Sequence, residues 1–411
     1  MDGQPVSFIV LLIPSVMNWI KRLFSAGSLF GLCYTISAAQ PQGSGQMEFP
    51  EIRMYFSQSQ FNRLKSNRGV KMELKKVVML MDQDTAAIKE LHSRGLTSSQ
   101  FERKSMSVDL KQAVRLKNNN QKMKRFDLIN LAMDQYLWHN RWAFLSMSQL
   151  QIFPLFNTFC KVWINGEHQG IYLLVEKPNY YMDKVESPFM IRRGYNHKID
   201  KAYSKGDNKK ENAKLTKQYE SQYESIYHDL SQYHGEVLFS KLSDLMVMEH
   251  YLGWLSFNYW VMNGDYSDEL FLYIQPGSGL FDIIPWDYDD LLKRQPHEGW
   301  DVRNQSLANK LIFSAEETMD QAIVSDDFLY RKYLSCLKNT LLQLSPEKLK
   351  ATMDQVIREL ASLAKDEEGV MASRYLDKFP FELEKAQTDI ARTYDFLVYR
   401  RNTILLKLSG K

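Results

Sequence analysis

Two apolar runs, Val162-Trp163-Ile164 and Ile171-Tyr172-Leu173-Leu174-Val175, flank the dipeptide Asn165-Gly166. Asn-Gly accepts positive φ at both central positions of a two-residue turn, and that turn's twist matches the twist of paired strands. Residues 161–176 are therefore predicted to form a β-hairpin, which commits this part of the chain to a sheet. Other short or alternating apolar runs, at 76–81, 106–110 and 159–164, read as further strands. Residues 127–148 show apolar positions at three- and four-residue steps and read as a helix.

The second half has a different pattern. Residues 192–218 are polar and Lys-rich with no apolar period, and read as a flexible, solvated loop. Helical periodicity marks 238–262, 346–365 and 380–408. Between the first two of these helices lies a second hairpin: 271–273, a turn at 276–279, then 280–284, ending at Pro285-Trp286-Asp287. No internal repeat is present, and no membrane-spanning stretch follows the N-terminal region.

The second hairpin ends in an acidic cluster. Asp287-Tyr288-Asp289-Asp290 follows directly on an apolar strand, and Asp265 lies in Asn263-Gly264-Asp265 just before the hairpin. Carboxylates leaving a strand end are fixed in direction and suit a hard cation. Two convergent carboxylates with a distant Lys are the minimum for phosphoryl transfer: one for Mg²⁺, one for the acceptor hydroxyl, and the Lys for phosphate charge. The strings of P-loop enzymes, serine hydrolases and zinc peptidases are absent, as are the Gly-rich loop, H-R-D and D-F-G of ordinary protein kinases. A formal net charge of +3 over 411 residues is too small for a nucleic-acid-binding face.

The N-terminus reads as an export signal. From Met17, the preferred start, Lys21 and Arg22 precede an apolar stretch at 23–36 and the small-residue exit Ser37-Ala38-Ala39. The apolar residues 8–20 offer a second arrangement, a doubled signal retained as a membrane anchor. Leu32 before Cys33 stands where lipidation needs a small residue, which argues against a lipoprotein. Cleavage would start the mature chain near Gln40, in a linker at 40–47. Cys160 and Cys336 either pair after export or stay as buried thiols.

The segment Val162-Trp163-Ile164-Asn165-Gly166-Glu167-His168-Gln169-Gly170-Ile171-Tyr172-Leu173-Leu174-Val175-Glu176 resembles the "vyiNGeyqGvYllvE" segment of the CotH (spore-coat protein H) family. Ile284-Pro285-Trp286-Asp287-Tyr288-Asp289 resembles its "iPWDYD" signature, and Asn263-Gly264-Asp265-Tyr266 its "N-x-D" station. Lys104-Ser105 with Val108-Asp109-Leu110 resembles a "KkSfrlk" strand. Leu128 to Leu131 with Asp134 resembles a helix start, and Phe396 to Arg400 a closing helix. The resemblance runs from about Lys104 to Arg401.

This likeness implies an α+β, two-lobed, atypical protein-kinase-like fold in an exported protein that is periplasmic, secreted or on the cell surface. After a signal at 1–39, a mixed N-lobe with hairpins would span 48–177. A mainly helical C-lobe would span 178–411, with the metal hairpin at 263–290. ATP and Mg²⁺ or Mn²⁺ would be the cofactors. A Ser/Thr-containing protein would be the substrate, nucleic acid would not be a partner, and a membrane would be met only through an uncleaved signal. Asp287 stands where the family has its metal-binding Asp, and Asp265 where it has the catalytic or metal-supporting Asp. Lys104 takes the place of a phosphate-contacting Lys. Glu176 either pairs with Lys104 or lies at the hinge beside the adenine. Phe281 falls where the family often has a Trp stacked on adenine.

Three departures stand out. Glu269 takes the place of an Asn: if that Asn holds a metal, Glu substitutes as a ligand and adds charge; if it orients substrate, the change counts against activity. Arg192 replaces a Lys, keeping the charge with different phosphate geometry. Beyond Asp290 the chain leaves the family pattern. The departures favour a competing reading, a pseudokinase acting as a surface, structural or interaction protein.

Overall fold

The computed structural model describes residues 47–410 except 83, 96, 117–120, 298–306, 308, 315, 365–370, 375 and 376. The expected signal and most of the linker lie outside the described residues. Their first elements build an eight-stranded sheet. It comprises β1 (Glu51–Tyr55), β2 (Val78–Met81), β3 (Asp84–Ala86), β4 (Ile88–Arg94), β5 (Ser105–Arg115), β6 (Lys122–Ile129), β7 (Asn157–Ile164) and β8 (Glu167–Glu176), in the order β3-β2-β1-β7-β8-β6-β5-β4. Only β1 and β7 pair in parallel; every other neighbour is antiparallel.

Alternation along β7 and β8 divides the apolar side chains between two cores. Cys160, Val162, Ile164, Tyr172 and Leu174 join a cluster covered by Phe61 and Leu64 of helix α1 (Gln58–Ser66). Phe159, Ile171, Leu173 and Val175 face a larger cluster shared with the later helices. Cys160 belongs to the first cluster and Cys336 packs against the second, and both are free thiols.

The predicted hairpin is β7–β8, and its turn has positive φ at Asn165 (52°) and Gly166 (83°). The turn also docks β1: the Asn165 amide donates to Met54 O at 2.8 Å, and the Phe56 amide to Asn165 Oδ1 at 3.0 Å. One side chain therefore serves both the turn and the parallel β1–β7 contact.

A second, antiparallel sheet has the order β10-β9-β11-β12, from β9 (Phe189–Arg193), β10 (Ile199–Ser204), β11 (Leu270–Ile274) and β12 (Phe281–Pro285). β11–β12 is the second predicted hairpin. A short β13–β14 pair (Met371–Arg374, Asp377–Pro380) forms a third sheet. The helices are α2 (His139–Gln149), α3 (Pro178–Lys184), α4 (Lys209–Gln232), α5 (Gly235–Ser243), α6 (Met248–Val261), α7 (Thr318–Ser325), α8 (Asp327–Gln343), α9 (Pro346–Leu363) and α10 (Leu383–Leu408). The fold is mixed α+β. No helix among the described residues is long and apolar enough to cross a membrane.

Three expectations are corrected. Residues 127–148 are not one helix: β6 runs to Ile129, Asp134 accepts from the His139 amide, and α2 begins there. Residues 192–218 are not a loop but hold β10 and the first turns of α4. The helix's apolar stripe, with Tyr223 and Ile226 buried, lies past the Lys-rich stretch. Residues 238–262 are two helices, α5 and α6, broken at 244–247.

Arg141 ties three elements together. It makes a bidentate pair with Glu359 of α9 (2.7 and 2.8 Å) and donates to Asn157 O and Oδ1 of β7 (2.7 Å each). Helix α6 is buried on nearly every side. Its C-terminal carbonyls at Tyr259 and Trp260 accept from Arg400 of α10 (2.8 and 2.9 Å), a cation placed at the negative helix end. This buried helix is the platform that carries the chain into Asn263.

Replacing Asn165 by Val should lower stability by about 1 kcal/mol or more. It puts a β-branched residue at positive φ and removes the acceptor for the Phe56 amide. Denaturant unfolding of the variant measures the loss; an unchanged midpoint would contradict the double role given to this side chain.

Candidate functional site

The apolar ladder of β11 and β12 carries the chain into Trp286, whose amide donates to Glu269 O at 2.9 Å. Asp287 then turns sharply, with φ +48°, a conformation that non-Gly residues adopt only when their surroundings hold them in it. Tyr288 supplies that hold. Its ring is buried against Phe144 and Phe257, and its amide donates to Asn140 Oδ1 of α2 at 2.8 Å. The flanking Asp287 and Asp289 thus emerge half-buried from a fixed backbone.

The second acidic station clamps onto the first. The Gly264 amide donates to Asp290 O at 2.9 Å, and a Cβ at Gly264 would lie 2.3 Å from Asp290 Oδ2, so any other residue would displace the Asp290 carboxylate. Asn263, fully buried, accepts the Asp265 amide at 3.2 Å. His297 lies between the stations, 3.4 Å from Asp265 and 2.7 Å from Asp290, and Lys293 pairs with Asp290 at 2.6 Å. On the other side, Arg192 Nη2 donates to both oxygens of Glu269 at 3.0 Å.

Burial is the largest influence on the carboxyls of Asp265, Glu269, Asp287 and Asp289, and repulsion from neighbouring carboxylates adds to it. It pushes Asp265 up to about 6 and Glu269 up to about 8. Asp287 and Asp289 are raised too, again foremost by burial; Arg94 and Arg192 oppose the rise at Asp287. A group of carboxyls that its surroundings under-neutralise suits a hard divalent cation with oxygen ligands, Mg²⁺ or Mn²⁺. Asp287 and Glu269 are the residues that would hold it. Among the described residues, no group of three or more His, Cys, Asp or Glu is arranged to hold a metal ion by itself.

Next to this group opens a cleft of about 500 Å³ between strands of the two sheets. Arg94 at the end of β4, Lys177 after β8, Arg192 of β9 and Lys201 of β10 line it, with Phe271, Trp286 and Tyr203 as aromatic walls. Arg94 pairs with Asp127 at 3.0 Å and lies 5.4 Å over the Trp286 ring.

Four of the sequence-predicted site residues, Asp265, Glu269, Asp287 and Arg192, are brought together. Three are not. The Lys104 ammonium is enclosed by the carbonyls of Asn67 (2.6 Å), Ser99 (2.7 Å) and Phe101, and burial lowers its pKa to about 8. Glu176, fully buried, accepts from Lys184 at 2.7 Å and from the Phe156 amide at 3.2 Å, so its partner is not Lys104. Phe281 is fully buried beside Phe189 and Tyr223 in the helical core. Sequence reasoning passed over Arg94. The available signal was a lone Arg at a strand end followed by Gly95, a glycine with φ +89°.

The raised carboxyls set a pH dependence. The folded chain keeps protons that the unfolded chain, titrating near about 4, has released. Stability from these groups is therefore fully present at low pH and is lost as pH rises toward about 6 for Asp265 and about 8 for Glu269. The metal-free protein should lose melting temperature between pH 5 and 8, and Asp265→Asn and Glu269→Gln should flatten the slope. A divalent cation competes with these protons, so its stabilising shift should be larger at pH 8 than at pH 6. Thermal melts across pH with EDTA or Mn²⁺ check both signs.

No curated protein matches the sequence. Among solved structures, the crystal structure of a Helicobacter pylori proinflammatory kinase, CtkA, is similar at 10% identity and a TM-score of 0.27, covering 70% of this chain and 94% of that chain. That likeness is too slight to carry an argument about fold. The family model described as CotH kinase protein matches residues 91–404, well over half of the sequence, and the chain belongs to that family.

Proposed function

We propose that this chain is an exported atypical kinase that transfers the γ-phosphate of ATP to Ser or Thr hydroxyls of a protein, with Mg²⁺ or Mn²⁺. In this reading the sheet-rich residues 48–177 act as an N-lobe and 178–411 as a C-lobe, with ATP in the cleft described above. One observation carries it: cations from both sheets, Arg94 and Arg192, line a single cleft and both act on Asp287, which shares its acidic group with Glu269 and Asp265. Phosphoryl transfer needs that pairing of positioned positive charge with metal-ligating carboxylates and little else from the protein.

Asp287, with Glu269 beside it, would hold the divalent ion, which when bound supplies positive charge to the phosphate oxygens. Arg94 and Arg192 neutralise phosphate charge from the cleft wall. Asp265, the more exposed carboxyl, orients the acceptor hydroxyl and takes its proton as the new O–P bond forms and the bond to the ADP oxygen breaks. Its pKa of about 6 suits that exchange near neutrality. Trp286 and Phe271 offer π-faces in the cleft in place of the buried Phe281.

A second reading, a non-catalytic pseudokinase serving as a surface, structural or interaction protein, is favoured by two features: Lys104 is enclosed by backbone carbonyls, and Glu269 is already engaged by Arg192. Thermal shift with ATP and Mg²⁺ or Mn²⁺ separates the readings. The kinase reading expects a metal-dependent shift in the wild type. Asp287→Ala should lose the shift, at little cost in metal-free stability, because removing one of several crowded carboxyls offsets its lost contacts. Asp265→Ala should keep nucleotide binding while phosphate transfer falls by orders of magnitude. No shift in the wild type leaves the non-catalytic reading standing.

A further inference from the structure

Arg192 belongs to both halves of the site. Its side chain lines the cleft where the phosphates would lie, yet a single nitrogen, Nη2, is shared between both oxygens of Glu269. A full fork would engage two guanidinium nitrogens, so this is the looser form of an Arg–carboxylate pair. The backbones on either side are fixed. The Glu269 amide donates to Tyr266 O at 3.2 Å and its carbonyl accepts from Trp286. The neighbouring Arg193 is buried, with Nε on Ser267 O and Nη1 on the Tyr251 hydroxyl, at 2.8 Å each. Only the two side chains, both partly open to solvent, are free to respond to a ligand.

Glu269 cannot serve two cations equally. It stands among Asp265, Asp268 and Asp287, and in the ligand-free protein Arg192 is the cation it touches. A divalent ion held by Asp287 and Glu269 would bring twice the charge to these carboxylates and so would compete with the guanidinium for Glu269. The freed guanidinium then has the cleft, and a polyphosphate anion, as its natural partner. Resting on the kinase reading, we propose that the Arg192–Glu269 pair is a latch. Closed, it holds Glu269 away from the metal and Arg192 away from the phosphates. Either ligand opens it and so prepares the site for the other, a coupling that is reciprocal by linkage.

The two ligands also bind each other in solution, so each is measured alone: Mn²⁺ without nucleotide, and a non-hydrolysable ATP analogue in EDTA. Arg192→Gln removes the competitor for Glu269 but also a phosphate contact. Mn²⁺ alone should bind roughly threefold to tenfold tighter, and the analogue in EDTA weaker by a similar factor. Glu269→Gln should do the reverse, weakening Mn²⁺ and tightening the metal-free analogue. Arg192→Lys keeps the charge on a different geometry and should fall between wild type and Arg192→Gln in both measurements, should the Gln variant fold poorly. Arg192→Gln changing both affinities in the same direction, or leaving Mn²⁺ affinity unchanged, overturns the latch alone while wild type still binds Mn²⁺ with the analogue. Wild type that binds neither overturns the kinase reading and the latch with it.

Discussion

Asp265, Glu269, Asp287, Asp289 and Asp290 crowd around the end of one buried hairpin, and none of them can retreat. Their backbones are pinned by the Tyr288 amide on Asn140, by the Gly264 amide on Asp290 and by the Trp286 amide on Glu269. A protein can answer such crowding by protonating the acids, pairing them, or recruiting a cation. All three answers are visible here. The pKa values of Asp265 and Glu269 rise; Asp290 is paired with Lys293 and His297; and Arg94 and Arg192 supply counter-charge from the cleft side. Much of the surrounding architecture serves to hold this unfavourable charge in place, from the buried helix α6 to the Asn140 acceptor on α2.

That rigidity divides the labour within the site. Buried groups set positions through bonds inside the core: Arg193 to Tyr251, Tyr251 to Asp320, Asn263 to Asn258 and the Tyr288 amide to Asn140. The responsive groups, Arg192, Glu269, Asp265 and His297, sit where solvent or ligand reaches them. A stiff frame carrying a few mobile charges turns ligand binding into a local exchange of partners, with no need for large backbone motion.

The sequence made the hairpins and the acidic stations legible because each rests on local chemistry. Asn165-Gly166 meets a turn's demand for positive φ, and an apolar strand ending in Pro285-Trp286-Asp287 fixes where the carboxylate points. What stayed hidden depends on neighbours distant in sequence. The apolar residues of 127–148 come partly from the end of β6 and partly from α2, and their sum mimics one helical period. The Lys-rich start of α4 concealed a helix whose burial begins at Tyr223. A motif match could not reveal that the carbonyls of Asn67 and Ser99 enclose Lys104, or that Phe281 faces Phe189 and Tyr223.

Two of the three departures from the family pattern take on a different meaning once their side chains are seen to touch. Taken singly, an Arg for a Lys at position 192 and a Glu for an Asn at 269 each look like damage to a catalytic site. Together they are a matched pair of opposite charge, 3.0 Å apart. An added carboxylate among Asp265, Asp268 and Asp287 would be costly alone, and the Arg192 guanidinium beside it opposes that cost. A lysine there would risk losing its charge on burial, as the lowered pKa of Lys104 illustrates. With Lys104 turned into a carbonyl cage, the positive charge facing the cleft comes from residues such as Arg94 and Arg192, whose planar forks suit phosphate oxygens. Under the kinase reading proposed above, the substitutions would keep positive charge beside the cleft on arginines instead of abolishing it.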